Sequence, residues 1–329
     1  MPDRPSAAIV GAGAIGGWLA WLLDRAGWDV RLLARGATLA AIADGGLKVE
    51  ADGELHVVEA PVSADPTEIG PVDYVILTLK GQGLVEIGPS LQQLLGQDTA
   101  LVTAMNGLQW WFTDGLDGPI DGAVLESVDP GGVLRALYSV DRVIGAVVHA
   151  TVSASAPGAI TVVATDKLIL GEPDGTRSDR VERLAEAFRT GGVETVVDSD
   201  IRLAIWRKLW GNMCMNPLTA LTRATTGPLL DDPLTAELIR AMMMEMSALG
   251  DRLGLSLGMT PEERMAVTRR LGDFKTSMQR DAVAGRRLEL DGLLGVLVEI
   301  ADRLDQPAPN LRAVYGLARR FDATLAAPA

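Results

Sequence analysis

Ile9-Val10-Gly11-Ala12-Gly13-Ala14-Ile15-Gly16-Gly17 is the stretch that decides the fold. The apolar run at residues 8–10 reads as a buried strand and the pattern over residues 16–26 as a helix, so a GxGxxG motif stands between strand and helix. In that setting the glycines have separate duties. Gly11 makes the tight turn, Gly13 lets backbone amides approach a pyrophosphate, and Gly16 allows the helix to pack closely on the strand. The helix N-terminus, with Ala14 and Ile15 in its first turn, then faces the phosphates. Glycines also occupy tight turns for packing alone; the position directly after the first strand favours a dinucleotide.

The second strand bears on which dinucleotide. An NAD site expects an acid about 20 residues beyond the glycines to hold the ribose 2′-hydroxyl. Here Val30-Arg31-Leu32-Leu33-Ala34 runs into Arg35 with no acid at that end. A guanidinium suits a 2′-phosphate by charge and bidentate hydrogen bonding, so the reading is NADP(H); the alternative is that Arg35 caps a solvated loop. Two later strands, taken as the fourth and fifth, end at Leu79-Lys80-Gly81-Gln82 and near Met105-Asn106-Gly107. Ligands in such sheets bind outside the carboxyl ends of strands, which puts Lys80 and Asn106 where nicotinamide and ribose would lie. Lys80 can also be an ordinary surface lysine.

Working outward, aliphatic runs at residues 8–10, 30–33, 74–79 and 100–103 alternate with helical patterns at 16–26 and 84–95. That alternation predicts βαβ units in a doubly wound α/β sheet. Residues 142–150, 160–163 and 168–170, with a turn at Ala156-Pro157-Gly158, predict an antiparallel or mixed far side. A last helix and strand, 180–188 and 194–197, close this half. After Asp198 long helical patterns dominate, with Met213, Met215, Met242, Met243, Met244 and Met246 where the first half has Val and Ile. The expected division is a Rossmann-type NADP-binding domain over 1–199 and an all-α substrate domain over 200–329. The methionines read as core filler, since an unbranched thioether fits irregular gaps. Thr260-Pro261-Glu262-Glu263 reads as a helix start.

The 329 residues carry 30 Lys+Arg against 43 Asp+Glu, a formal charge of −13. That charge repels nucleic-acid phosphates and anionic membranes, and no basic patch offsets it. One cysteine, Cys214, and two histidines, His56 and His149, rule out a disulfide framework and a Cys/His zinc site by counting, and no metal is expected. The first ten residues lack the apolar stretch of a leader, and the run 18–23 is cut short by Asp24 and Arg25, far below the roughly 20 residues of a membrane span. The expectation is a cytoplasmic protein.

In the second half Lys208, Asn212 and Asn216 stand at i, i+4 and i+8 within Ile205-Trp206-Arg207-Lys208-Leu209-Trp210-Gly211-Asn212-Met213-Cys214-Met215-Asn216-Pro217. One helix stripe therefore carries an ammonium and two carboxamides in apolar surroundings. Buried Lys and Asn are costly without partners, so either they satisfy one another or they converge on a polar ligand. Pro217 predicts a kink or break that would aim Asn212 and Asn216. Thr276-Ser277-Met278 and Glu289-Leu290-Asp291 add a hydroxyl and carboxylates.

Together these residues resemble the ketopantoate reductase (2-dehydropantoate 2-reductase) family, within the 6-phosphogluconate-dehydrogenase-like group of two-domain reductases. The resemblance spans nearly the whole chain. It rests on the glycine loop with Arg35, Lys80, Asn106-Gly107, Pro157-Gly158 followed by Leu170-Gly171-Glu172, the run from Trp206 through Asn216-Pro-Leu-Thr-Ala, and Ser277 with Glu289 twelve residues on. It implies NADPH-dependent reduction of 2-dehydropantoate to (R)-pantoate, on the route to pantothenate and coenzyme A. By position Lys208 is similar to the family's general acid, Glu289 to the acid that contacts substrate and orients the lysine, and Asn212, Asn216 and Ser277 to its substrate binders. Lys80 and Asn106 resemble the residues that position ribose and nicotinamide. Two departures stand out: Gln109-Trp110-Trp111-Phe112 is bulkier than usual, either core or the edge of a cleft, and residues 117–140 form a long segment. They leave open a reductase of another 2-oxo acid or ketone, and a non-catalytic NADP(H) sensor is the third alternative. The partner is a small 2-oxo acid, and the apolar helical half permits a homodimer.

Overall fold

The structure, a computed structural model, describes residues 4–325; residues 1–3, the start of the segment read for a leader, and 326–329, the end of the expected second domain, lie outside the described residues. The chain forms two compact units. The first runs up to Met105 and adds Val133–Ile201, while the second joins Asn106–Gly132 to everything from Arg202 onward. Asn106–Gly132, which the sequence reading kept in the first domain, therefore groups with the second unit.

The first unit is an α/β sheet. β1 (Ser6–Val10) lies between β2 (Asp29–Leu33) and the later β6 (Val72–Leu77), parallel to both. Successive side chains point to opposite faces and Ala7, Ala8, Ile9 and Val10 are all fully buried, so β1 is covered on both faces as well as paired on both edges, and its sequence is an unbroken apolar run. α1 (Ala14–Arg25) follows the glycine loop, and α2 (Gly36–Gly45) follows β2. β3 (Leu47–Ala51) and β4 (Glu54–Val58) make an antiparallel hairpin, and β5 (Val62–Ser63) pairs with β2. A short α3 (Pro66–Ile69) leads into β6, α4 (Gly81–Leu91) leaves it, and β7 (Leu95–Thr103) continues the parallel ladder. The strands expected as fourth and fifth are thus β6 and β7, because the hairpin and β5 precede them.

Beyond α5 (Val133–Leu137), β8 (Val143–Ala156) pairs parallel with β7 and antiparallel with β9 (Ala159–Gly171). Their turn is Pro157-Gly158, with Gly158 at φ +68, a conformation glycine adopts without penalty. The two runs expected at 160–163 and 168–170 are one strand. Thr165 and Lys167 keep their places opposite β8 while a register shift absorbs Asp166. α6 (Asp179–Gly191) and β10 (Glu194–Val197) complete the unit. The spatial order is β4-β3-β9-β8-β7-β6-β1-β2-β5, with β10 also on β9. Its far side is mixed, as the turn signals predicted.

The second unit is helical: α7 (Ile201–Thr222), α8 (Thr226–Asp231), α9 (Pro233–Arg252), α10 (Pro261–Arg270), α11 (Ser277–Val283), a π-type turn at Asp291–Gly295, α12 (Val296–Arg303) and α13 (Pro309–Leu325). α10 starts on a capping box in which Thr260 and Glu263 exchange side-chain and backbone bonds. Met213, Met242, Met243 and Met246 are fully buried, and the Trp210 indole donates to the Met243 carbonyl at 2.9 Å, tying α7 to α9. α7 continues through Pro217, so the expected break does not occur. Every residue from Met213 to Ala220 is buried, and that packing outweighs the single donor proline removes. Among the described residues no helix is long and apolar enough to cross a membrane.

Two glycines of the loop differ in what surrounds them. A Cβ on Gly16 would overlap the Gly11 carbonyl and the Thr78 hydroxyl, whereas one on Gly13 would meet nothing within 4 Å. Gly16→Ala is therefore expected to cost about 1–3 kcal/mol in urea denaturation, since the overlap exceeds the helix-propensity gain of about 1 kcal/mol, and Gly13→Ala less than about 1 kcal/mol.

Candidate active site

The glycine loop is held open at its mouth and closed beneath. Gly11 sits at φ +99, its N–H donating to the Leu33 carbonyl at 3.0 Å. The Thr78 hydroxyl, just past β6, lies 3.0 and 2.7 Å from the Val10 and Gly11 carbonyls and pins the turn from the neighbouring strand. Above it, α1 starts at Gly13 with no side-chain cap and no acid in its first turn. The first amides of a helix carry partial positive charge and have no intrahelical acceptor, so this end is set up for an anion. A dinucleotide pyrophosphate fits the cradle: Gly13 leaves the approach clear and uncapped amides line it.

Arg35 forms the N-cap of α2 at the end of β2. Its guanidinium is about two-thirds exposed and reaches Glu86 only at 3.9 Å, a contact of little energetic weight in water. The charge remains available to a solvent-borne anion. Lys80 is the N-cap residue of α4, directly past the carboxyl end of β6. Both cations thus stand at the carboxyl edge of the parallel sheet, with the glycine loop.

In the second unit α7 carries the polar row. Lys208 is partly exposed by area yet lies deep among protein atoms. Loss of hydration pulls its pKa from 10.5 down to about 8, and the Glu289 carboxylate opposes that pull. Asn212 is half-buried and Asn216 is buried; among the described residues neither carboxamide has a hydrogen-bond partner. The two asparagines therefore do not satisfy each other or the lysine internally, the alternative left open by their spacing. One turn beyond Asn216, the Thr219 hydroxyl meets that of Thr276 at 2.7 Å, and Thr276 caps α11 by accepting from Gln279 N–H. The cap fixes the start of α11 against α7 and leaves Ser277, its first residue, exposed.

Glu289 lies in irregular backbone just ahead of the π-type turn, where the amides of Leu293, Leu294 and Gly295 converge on the Leu290 carbonyl. Asn106-Gly107 abuts the same turn. Leu108 N–H donates to the Gly292 carbonyl at 3.0 Å, and Gly107, at φ +81, comes so close to that carbonyl that a Cβ would overlap it. Asn106 is exposed and belongs, with Glu289, to the second unit. Trp110, Trp111 and Phe112 are buried, Phe112 stacking on Trp206 at 6.1 Å and Arg202 Nε donating to the Phe112 carbonyl at 3.0 Å. Of the two roles weighed for these aromatics, core is the observed one.

Sequence reasoning missed Thr78, the close approach of Gly107 to the Gly292 carbonyl, and the Thr219–Thr276 contact. Thr78 carried a readable signal, a hydroxyl directly after an apolar strand run and facing the glycine turn. The other two had none, since each depends on a partner 57 residues away or farther.

The sequence families described as Ketopantoate reductase PanE/ApbA and Ketopantoate reductase PanE/ApbA C terminal match residues 7–110 and 200–322. A 2-dehydropantoate 2-reductase of Mesorhizobium japonicum is 42% identical over 314 residues, covering 95% of this chain and 96% of the relative. The crystal structure of a candidate ketopantoate reductase from Ralstonia solanacearum MolK2 superimposes with TM-score 0.93 at 39% identity, covering 98% of each chain. D-Mandelate dehydrogenase, solved with NADH and anilino(oxo)acetate, shares the fold at TM-score 0.85 and 18% identity, covering 98% of this chain and 100% of its own. With both halves matched and a relative this similar along its length, the chain belongs to the ketopantoate reductase family.

Proposed function

We propose that this reductase uses NADPH to convert 2-dehydropantoate to (R)-pantoate, in the cytoplasm, feeding pantothenate and coenzyme A synthesis. The observation that carries the reading is the desolvated Lys208 beside Glu289, on one helix stripe with two carboxamides that have no hydrogen-bond partner among the described residues. A sensor that only binds nucleotide has no use for that arrangement, which costs stability. The burial of Trp110, Trp111 and Phe112 also removes the reason their bulk gave for another 2-oxo acid.

The amides of Gly13, Ala14 and Ile15 would hold the pyrophosphate, with Gly11 and Gly16 shaping the turn. Arg35 would pair with the 2′-phosphate, and Lys80 and Asn106 would position ribose and nicotinamide. When bound, the reduced nicotinamide supplies a hydride to the ketone carbon. Negative charge then develops on the ketone oxygen, and the Lys208 ammonium both stabilises it and donates the proton. Glu289 keeps the lysine charged and orients it. Asn212, Asn216 and Ser277 would bind the substrate's carboxylate and hydroxyl end.

A general acid must be protonated to act. With Lys208 near 8, kcat for ketone reduction is expected to be flat on the acid side of that value and to fall as pH rises through it. Lys208→Ala should lose about 10²–10⁴-fold in kcat, followed as NADPH oxidation, while fluorescence titration still finds NADPH bound; near-normal turnover contradicts the role. Arg35→Ala should raise KM for NADPH by about tenfold or more and leave KM for NADH little changed. Equal effects on the two cofactors would refute the 2′-phosphate assignment.

A further inference from the structure

Glu289 stands in a segment, residues 286–290, that belongs to neither helix nor strand. Its flanks are instead held from α13. Asp322, buried, accepts Leu288 N–H at 2.7 Å on one oxygen and Arg287 Nε at 2.6 Å on the other. The Tyr315 hydroxyl donates to Asp291 Oδ1 at 2.6 Å. Tyr315 and Asp322 are seven residues apart, two turns on one face of the helix. Their bonds therefore land one residue before and two residues after Glu289.

Three further features make this a fitted contact. A Cβ on Gly295 would come within 2.7 Å of the Tyr315 hydroxyl and 3.4 Å of Asp291 Oδ1, so the π-type turn admits only glycine there without displacing the bond. Burial first, and Asp291 beside it second, push the Tyr315 phenol well above its usual 10, so it remains a donor throughout the working range. Arg287 is largely exposed, which leaves the Leu288 amide as the bond that Asp322 makes in a buried setting.

The geometry points to Tyr315 and Asp322 as positioning residues: one face of α13 clamps both flanks of Glu289 and thereby fixes its carboxylate relative to Lys208. This rests on the general-acid reading of Lys208. The physical need is distance. The attraction between unit charges falls with separation, and it is strong only in a water-poor site, so a carboxylate left to wander on an irregular segment could not hold the lysine charged. Glu289 is the charge that acts on Lys208. Around the clamp, Asp291 and Glu299 face the Tyr315 phenol, Arg319 lies over its ring at 5.5 Å, Arg287 pairs with Asp322, and the Arg264 guanidinium lies over Gly211 of α7.

The test compares Tyr315→Phe and Asp322→Ala with Glu289→Gln, reading kcat against pH with 2-dehydropantoate, KM for NADPH, and thermal midpoint. Each clamp variant should keep KM for NADPH within about twofold, lose about fivefold to tenfold in kcat, and move the alkaline limb to lower pH, the direction Glu289→Gln moves it. If Glu289→Gln moves the limb and a folded clamp variant does not, the clamp is overturned and the general-acid reading stands. A lowered thermal midpoint with an unmoved limb also overturns it, as support of the fold alone. Should Glu289→Gln itself leave the limb in place, the underlying reading fails and the clamp with it. Because the two bonds grip opposite flanks, either variant suffices if the other does not fold.

Discussion

A lysine drawn out of water on a helix face is the constraint around which the second unit is built. Lys208 loses hydration on α7, and an ammonium in that position tends to shed its proton. The Glu289 carboxylate offsets part of that tendency, leaving the lysine near 8, where it is mostly protonated at neutral pH and still a far better proton donor than an exposed lysine. Much of the surrounding architecture bears on keeping those two groups in register: Trp210 ties α7 to α9, Gly107 lies flush against the turn that follows Glu289, and α13 grips both flanks of that segment.

The first unit solves a different problem with the same economy. The chain as a whole is acidic at −13, and its proposed ligands are anions, so the global field works against binding. Local positive potential must come from a few groups. The uncapped start of α1, Arg35 at the end of β2 and Lys80 at the end of β6 supply it along the carboxyl edge of the sheet, where parallel strands and helix N-termini gather.

Central strands were readable in the sequence because burial on both faces leaves aliphatic runs: β1 and the cores of β6 and β7 stand out this way, and β2 does so despite Arg31, which finds Asp29 and the Ile69 carbonyl. The β3–β4 hairpin did not, since Lys48, Glu50 and Glu54 interrupt it on an exposed side near the sheet edge. The placement of Asn106–Gly132 was equally hidden. It has little regular structure, and its anchors are remote in sequence: Arg202 to the Phe112 carbonyl spans 90 residues, and Glu299 to the Ser127 amide spans 172. The polar row on α7 was visible from spacing alone, but not that its asparagines lack partners among the described residues, nor that Tyr315 and Asp322 would reach back to the Glu289 segment. Periodicity reports which residues share a face; it does not report what lies across from that face.

Whether one lysine of this chain is poised near neutrality can be read without turnover. The chain has five lysines, so selective ¹³Cε labelling gives a simple NMR spectrum whose signals can each be titrated. One signal should titrate with a midpoint of about 8 and be absent in Lys208→Ala. If the signal lost in that variant instead titrates near the ordinary lysine value of about 10.4, Lys208 is not a poised proton donor.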